Sequence, residues 1–316
     1  MSNYDLICKE QDELRRNFLD NYIEMKSVLL KHGDRKRYLG GTVDRTCRYC
    51  RRLEAETTFR KVAHVIPAQL GNRTLLDNNE CDLCNEHFGK YLEDSFAKYL
   101  LPYRSFFRTV GRDKIPTHDD PDLRVSTVDG HLQISLKSFD ELDSSRARLG
   151  TNLLKFSALR QPYYPTSVHK TFIKVALAFM PDSEQFDAET LLAWILLPNY
   201  SPLFEGPPIL QWEVPGPLNP NIIRCSLFKA KPDCEAHVFK YVLILAFGNI
   251  QYQVVIPSSS EHGVNKNLPI GPVAVPHVLL KYGRPSLTEL QLTSENIVRD
   301  DSVSIYIHYS ELEEMK

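Results

Sequence analysis

The 316-residue chain has no apolar run long enough to cross a bilayer, no large excess of charge and no internal repeat. A spanning helix needs about 20 consecutive apolar residues, so we expect no membrane segment. The first residues, Met1-Ser2-Asn3-Tyr4-Asp5, lack the charged and apolar regions of a signal peptide, which favours a cytoplasmic protein. The formal net charge is only −2, so any affinity for nucleic acid must come from a local patch.

What is present is typical of a soluble globular protein: 42% of the residues are hydrophobic and 25% are charged. The length allows two domains or one elaborated domain. An acidic, proline-bearing stretch, His118-Asp119-Asp120-Pro121-Asp122, has the composition of a linker. We therefore predict two domains, residues 1–118 and residues 119–316.

Four of the seven cysteines form two Cys-x-x-Cys pairs, Cys47/Cys50 and Cys81/Cys84, with thirty residues between the pairs. Two such pairs are a common way of supplying the four thiolates of a tetrahedral zinc site. An odd cysteine total also suits a reducing compartment and a metal site better than a disulfide framework. The alternatives are scattered disulfides or unpaired buried thiols.

The segment around the first pair is basic, although the whole chain is slightly acidic. Residues 34–61 carry nine positive and four negative side chains. Such runs are usually solvated faces, but beside a metal motif this one could neutralise phosphates independently of base sequence. The candidate phosphate contacts are Arg48, Arg51, Arg52 and Lys61.

Local patterns predict the order of the elements. Apolar residues at helical spacing predict an N-terminal helix over residues 5–32. A strand over residues 57–65 follows the first cysteine pair, and a helix begins at Asp82, inside the second pair. The rest of the chain is β-rich with some helix, and Asp129-Gly130 and Gly248-Asn249 are hairpin-turn signals.

Three motifs between residues 47 and 100 resemble the HNH endonucleases, in the branch whose ββα-metal fold is stabilised by a four-cysteine zinc. They are Ala63-His64-Val65-Ile66-Pro67, Leu70-Gly71-Asn72 and Cys81-x-x-Cys84-Asn85-x-x-Phe88-Gly89. The resemblance covers about a sixth of the chain, but the motifs occur together and in the right order. It implies an α+β fold, with an N-terminal helix and a zinc-stapled ββα-metal module followed by a mixed, β-rich C-terminal domain.

The resemblance also implies chemistry. His64 would be the general base that activates water and would contact the catalytic cation, Mg²⁺ or Mn²⁺, of which Asn85 would be a ligand. Those roles are chemically sound, because an imidazole accepts a proton near neutral pH and an amide oxygen suits a hard cation. Alone, His64 would more often be a satisfied core histidine and Asn85 a helix cap.

The sequence departs from the family pattern at two positions. Ala63 stands where many members have an acidic metal ligand, and Leu76 stands where the asparagine that orients the histidine commonly lies. Asn72, Asn78 and Asn79 are nearby substitutes, and Asn72 ranks first because it belongs to the Leu-Gly-Asn motif. His87 could assist from another face of the helix.

The sequence thus predicts a metal-dependent endonuclease that acts on DNA, with structural zinc and catalytic Mg²⁺ or Mn²⁺. One alternative is a non-catalytic zinc module that binds nucleic acid. Another is a nuclease gated by a protein partner or a small signalling ligand that binds the C-terminal domain. The sequence of that domain shows no group of residues typical of a catalytic site. Nucleases of this type occur in restriction, phage defence and mobile elements. A role in phage defence is therefore suggested by the resemblance and by no residue of this chain.

Overall fold

The computed structural model describes residues 2–111, 114–136, 147–150, 153–203, 208–216, 222–234, 238–257, 271–276, 280 and 282–308. Over these residues the fold is mixed α+β with a β-rich C-terminal part, as the sequence predicts. In the described part of the chain, no helix combines the length and the apolar character that crossing a bilayer requires. The helices are α1 (Asn3–Asn21), α2 (Asp82–Phe88), α3 (Asp94–Phe106), α4 (Pro165–Phe179) and α5 (Glu189–Ile195).

The largest sheet among the described residues is antiparallel throughout. Every residue of its two central strands is buried, because other elements cover both faces of the sheet. In spatial order its strands are β1 (Tyr22–Lys31), β10 (Ile222–Ala230), β11 (Tyr241–Phe247), β12 (Ile250–Ile256), β9 (Ile209–Glu213) and β13 (Ser286–Leu290).

Three smaller sheets complete the β-structure of the described residues. Their strands are β2 (Arg37–Leu39) with β3 (Leu75–Asp77); β4 (His118–Asp119), β5 (Leu123–Val128) and β6 (His131–Leu136); and β7 (Ala147–Gly150), β8 (Leu153–Leu159) and β14 (Ser302–His308). Both predicted hairpins are confirmed. Asp129 and Gly130 turn between β5 and β6 with φ values of 50° and 78°, and Gly248, at φ 54°, turns between β11 and β12.

The predicted helix over residues 5–32 is wrong after Asn21. α1 is capped by Ser2, whose hydroxyl accepts from the Asp5 amide, but it ends at Asn21. Residues 22–31 instead form β1, which pairs with β10 along its length apart from one bulge. Apolar spacing in this segment is compatible with either structure, and the distant partner strand decides between them.

Helix α4 lies at the centre of the molecule, and all of its residues are buried. It packs against α3 and α5, against the π-helical turn Gly89–Glu93 that joins α2 to α3, and against β10 and β12. The main hydrophobic cluster accordingly includes side chains from both sides of residue 118. The division into residues 1–118 and 119–316 stays a prediction, and a continuous core crosses it.

Candidate metal centre and active site

The four cysteines of the two pairs converge on one point. Their Sγ atoms all lie within 4.8 Å of one another, with Cys47 to Cys84 and Cys50 to Cys81 both at 3.7 Å. Three of the four residues are buried and Cys50 is partly buried. These four cysteines, which lie far apart in sequence, are therefore positioned to bind a metal ion.

The separations discriminate between the possible uses of four thiols. A disulfide requires sulfurs about 2.05 Å apart, whereas a tetrahedron with Zn–S bonds of about 2.3 Å has edges of about 3.8 Å. The observed 3.7 Å contacts match the tetrahedron. The contact with Cys84 lowers the pKa of Cys47 to about 5, whereas the same contact raises the pKa of Cys84 and burial raises the pKa of Cys50. A thiolate is therefore favoured at Cys47, and metal binding would displace the protons of Cys50 and Cys84. The donor set fits zinc.

The first pair lies in a tight backbone turn. The Arg51 amide donates to the Cys47 carbonyl at 3.0 Å, and the Cys47 amide donates to the Arg52 carbonyl at 2.8 Å. Closing this turn requires a positive φ of 62° at Arg51. Most L-residues are strained in that region, so the turn stores strain next to the metal ligands.

The second pair opens α2, and the carboxylate of Asp82 joins that helix to the segment preceding His64. Asp82 accepts hydrogen bonds from the Arg60 and Lys61 amides at 2.9 and 2.8 Å and from the Thr58 hydroxyl. Burial opposes ionisation, but these hydrogen bonds lower the pKa of Asp82 overall. The ligand-bearing helix therefore has a fixed position relative to residues 58–61.

The predicted strand over residues 57–65 is wrong: of these residues only His64 forms a β-bridge, with Leu76 of β3. His64 therefore lies on a short extended segment beside β3. The Val65 amide donates to the Leu75 carbonyl at 3.2 Å, and the Asp77 amide donates to the Ala63 carbonyl at 3.0 Å. β3 in turn pairs with β2 in parallel, so three extended segments lie side by side. His64 is partly buried between Ala63 and Val65, which are fully buried. This is compatible with a histidine at the edge of the core rather than inside it.

Asn85 lies in α2 directly after Cys84 and reaches the segment that leads to His64. Its Nδ2 donates to the Val62 carbonyl at 3.3 Å. That contact uses the amide nitrogen rather than the oxygen, the atom that a hard cation prefers. The cysteine cluster, α2 and the His64 segment therefore meet in one place.

Asn72 is completely buried, and its contacts are with the backbone. Nδ2 donates to the Ile66 and Leu75 carbonyls at 2.7 and 2.9 Å, and Oδ1 accepts from the Thr74 and Leu75 amides at 3.1 and 2.9 Å. These bonds fix the loop between the His64 segment and β3, so an orienting role for Asn72, which stays a prediction, would act through the backbone.

The other candidate asparagines and His87 lie elsewhere. Asn78 and Asn79 donate to the Gly40 and Thr46 carbonyls, which ties β3 to the loop before the first cysteine pair. His87 Nε2 lies 3.1 Å from the Ile195 carbonyl at the end of α5, and burial lowers the pKa of His87. The assisting role considered for His87 stays a prediction.

The predicted phosphate contacts differ in their surroundings. Arg48 is nearly buried, with its guanidinium 3.1 Å from the Asp77 carboxylate and 3.7 Å from that of Asp182. Arg51 and Arg52 are exposed. Lys61 is exposed and forms an ion pair with Glu86. The structure thus separates one structural arginine from three solvent-facing cations.

Two residues near His64 escaped the sequence reasoning. Lys174, on α4, donates to the His64 carbonyl at 2.7 Å and lies 3.0 Å from a carboxylate oxygen of Glu80. The available signal was a pair of lysines, Lys170 and Lys174, four residues apart in a helix without acidic residues. A charged pair within a helix that is buried all round predicts specific buried partners, because unpaired buried charges are very costly.

Comparison with known proteins agrees with the motifs. No curated protein and no solved structure gives a significant match to the chain. A family model described as HNH endonuclease does match, and its boundaries agree closely with the segment identified from the motifs. The matched segment comprises residues 47–101 and contains all four clustered cysteines, His64, Asn72 and Asn85, which confirms its resemblance to the HNH endonucleases.

Proposed function

We propose that this protein is a metal-dependent endonuclease of the HNH type that hydrolyses phosphodiester bonds in DNA. One observation carries the proposal: within the HNH-matching segment, the four-cysteine cluster and the Asn85 side chain join α2 to the segment that bears His64. Fast chemistry needs such a fixed geometry to hold the reacting groups in place.

Zinc bound by Cys47, Cys50, Cys81 and Cys84 would be structural in this scheme. All four ligand positions would be filled by protein, leaving none for water or substrate, which is the mark of a structural rather than a catalytic zinc site. The four-thiolate cluster would hold the two cysteine turns together, and metal binding would therefore contribute to the folding free energy of this segment.

His64 would act as the general base. Phosphodiester hydrolysis needs a group that removes a proton from the attacking water, and an imidazole does this near neutral pH. The residue is partly accessible, whereas both of its chain neighbours are fully buried. Asn72 would keep the His64 segment in register with β3 through its four backbone hydrogen bonds.

Asn85 and His64 would hold the catalytic cation, Mg²⁺ or Mn²⁺. When bound, the cation stabilises the charge that develops on the phosphate and on the leaving oxygen. Two protein ligands are enough for such an ion, because Mg²⁺ retains several waters and also binds substrate phosphate. With alanine at position 63, the protein contributes a smaller negative charge to this site than an acidic residue there would give.

Arg51, Arg52 and Lys61 would bind the DNA backbone. Their side chains are exposed beside the cysteine cluster, and contacts of this kind supply affinity without reading bases. Arg48 was predicted for the same role, but its two aspartate partners favour a structural contribution.

The test is plasmid cleavage by the zinc-loaded protein with Mg²⁺ or Mn²⁺. His64→Ala should lower the cleavage rate by roughly 100-fold or more, the order of a lost general base, while zinc content and the unfolding temperature stay near wild type. His131→Ala, which removes an exposed histidine on β6, is the matched control and should cleave normally.

Two results would contradict the proposal. If wild-type protein binds DNA but cuts it with neither cation, the alternative of a non-catalytic zinc module is favoured. If His64→Ala cuts at the wild-type rate, then His64 is not the base.

A second candidate is a nuclease gated through the C-terminal part, and one cavity favours it. The cavity has a volume of about 790 Å³ and is lined by Tyr103, Phe106 and Phe107, near the end of α3, and by Glu213 and Tyr306. α3 continues from α2 through the π-helical turn, so a bound ligand would contact the same helical unit that carries Asn85.

Filling the cavity tests this second candidate. Ser304 lines the cavity, and Ser304→Trp would occupy much of it. A cleavage rate that rises when small-molecule extract is added to wild type, but not when it is added to Ser304→Trp, supports gating. Full wild-type activity in the absence of any addition argues against it.

A further inference from the structure

Lys174 connects the C-terminal part of the molecule to the residue proposed as the base. Its side chain is 1% exposed, and Nζ lies 2.7 Å from the His64 carbonyl oxygen and 3.0 Å from Glu80 Oε2. Glu80 is equally buried and directly precedes Cys81, the first residue of the second cysteine pair. One ammonium group therefore contacts both the His64 segment and the start of the ligand-bearing helix.

Surrounding groups keep this ammonium in place. Nζ lies 5.6 Å from the centre of the Phe88 ring, and the Tyr49 hydroxyl donates to the Lys174 carbonyl at 3.4 Å. The ammonium thus lies between a backbone carbonyl, a carboxylate oxygen and an aromatic ring, all in the protein interior. A buried group with these partners resists displacement, because leaving them is costly.

Lys170, one turn earlier on α4, provides a natural comparison. It is also 1% exposed, and its Nζ donates to the Leu197 and Asn199 carbonyls at 3.1 and 2.9 Å. Both of those acceptors follow α5 in the C-terminal part. The two lysines thus share helix, burial and type of acceptor. The ammonium of Lys174 contacts the HNH-matching segment, whereas the hydrogen bonds of Lys170 described above go to residues after α5.

We infer that Lys174 is a positioning residue for His64: it holds the His64 segment against α2 through the His64 carbonyl and Glu80, so that α4 completes the active site. This inference rests on the proposed nuclease function. Because the carbonyl and the imidazole belong to one residue, a displacement of the carbonyl shifts the imidazole by a similar distance. A misplacement of about 1 Å can lower a catalytic rate by roughly 100-fold.

The experiment compares wild type with Lys174→Met/Glu80→Gln and with Lys170→Met. The double substitution removes both charges together, because Lys174→Met alone would leave a buried carboxylate without its cation. Each variant is loaded with zinc and measured for zinc content, unfolding temperature, kcat and KM on plasmid DNA with Mg²⁺, and amide hydrogen exchange at Val65.

The double variant should keep its zinc and its KM while kcat falls about tenfold or more, and Val65 should exchange faster because its segment is less firmly held. Lys170→Met should lose stability to a similar extent but keep the wild-type kcat. A wild-type kcat in the double variant, or an equal loss of kcat in Lys170→Met, would overturn the inference.

The experiment also distinguishes failure of the proposed nuclease function from failure of the inference about Lys174. If wild-type protein cuts no DNA, the nuclease proposal fails, and exchange at Val65 alone decides about Lys174. Faster exchange in the double variant but not in Lys170→Met still supports the positioning role, and equal exchange in all three proteins refutes it.

Discussion

At the scale of single residues, the backbone turn that contains the first cysteine pair is strained at Arg51. A φ of 62° costs an L-residue about 1–2 kcal/mol, while glycine adopts it freely at some cost in unfolded-state entropy. The turn itself is closed by the Arg51 and Cys47 amides. The residue type at this position therefore affects stability independently of the metal ligands.

Arg51→Gly is expected to raise the free energy of unfolding by up to about 1 kcal/mol. The measurement is urea unfolding of the zinc-loaded protein. Arg52→Gly is the matched control, because it removes the same charge at a neighbouring position without a positive φ, and it should lower stability instead. An equal effect of both substitutions would show that charge, not backbone strain, dominates.

The lowered pKa of His169 predicts how the stability of the folded protein depends on pH. It is buried on α4 beside the Trp194 ring, and burial lowers its pKa to about 4. The unfolded chain, with an ordinary pKa near 6.5, therefore binds a proton that the folded protein excludes. Stability from this group is complete above about pH 6.5 and is lost as pH falls towards 4.

Between pH 7.5 and pH 5, His169 should account for about 2 kcal/mol of lost stability. His169→Gln should lose that much less than wild type over the same interval, whereas His131→Gln, at an exposed site, should behave like wild type. Urea unfolding at the two pH values in excess zinc gives the comparison. Parallel losses in wild type and His169→Gln would contradict the assignment.

At the scale of elements, α2 depends on the cysteine cluster for its position. Its seven residues open a continuous helical unit over residues 82–106, and the first turn of that unit lies between two proposed zinc ligands. Its contacts with the His64 segment run through Asp82 and Asn85. Loss of the metal should therefore release the helix and the segment together.

Cys84→Ser should abolish stoichiometric zinc binding, lower the unfolding temperature strongly and eliminate cleavage. Elemental analysis and thermal unfolding measure the first two effects. Cys225→Ser replaces a buried cysteine in β10, outside the cluster, and should be moderately destabilised but retain one zinc per chain. Full zinc retention by Cys84→Ser would exclude the proposed ligand set.

The same elements show what can be predicted from sequence. The two hairpin turns and the cysteine turns depend on residues close together in the chain, so local chemistry specifies them. β1 and the contacts of Lys174 depend on distant partners; the lysine and His64 are 110 residues apart. Such pairings leave no periodic signal, which is why the first was misassigned and the second was missed.

At the scale of the whole molecule, the HNH-matching segment packs into a core shared with the rest of the fold and is not a separately attached domain. β1 precedes it in the chain and pairs with β10 in the large sheet, while α4 packs against the π-helical turn and α3. The main hydrophobic cluster joins these parts. Cooperative stability should therefore depend on both predicted domains.

A fragment of residues 1–118 should lack a cooperative thermal transition even when loaded with zinc, because β10 and α4, which cover its apolar surfaces, are missing. Calorimetry of the fragment beside the full chain provides the measurement. A sharp transition and native-like amide protection in the fragment would instead show that residues 1–118 fold as an independent domain.

The pairing of β1 with β10 also bears on how the protein is made. A strand at the N-terminus emerges from the ribosome long before its partner, and contacts between such distant segments form late in folding. The nascent chain would carry the HNH-matching segment without β10 or Lys174 beside it. Assembly of the proposed cleavage centre would therefore wait until β10 has been synthesised, and shorter nascent chains would lack the proposed activity.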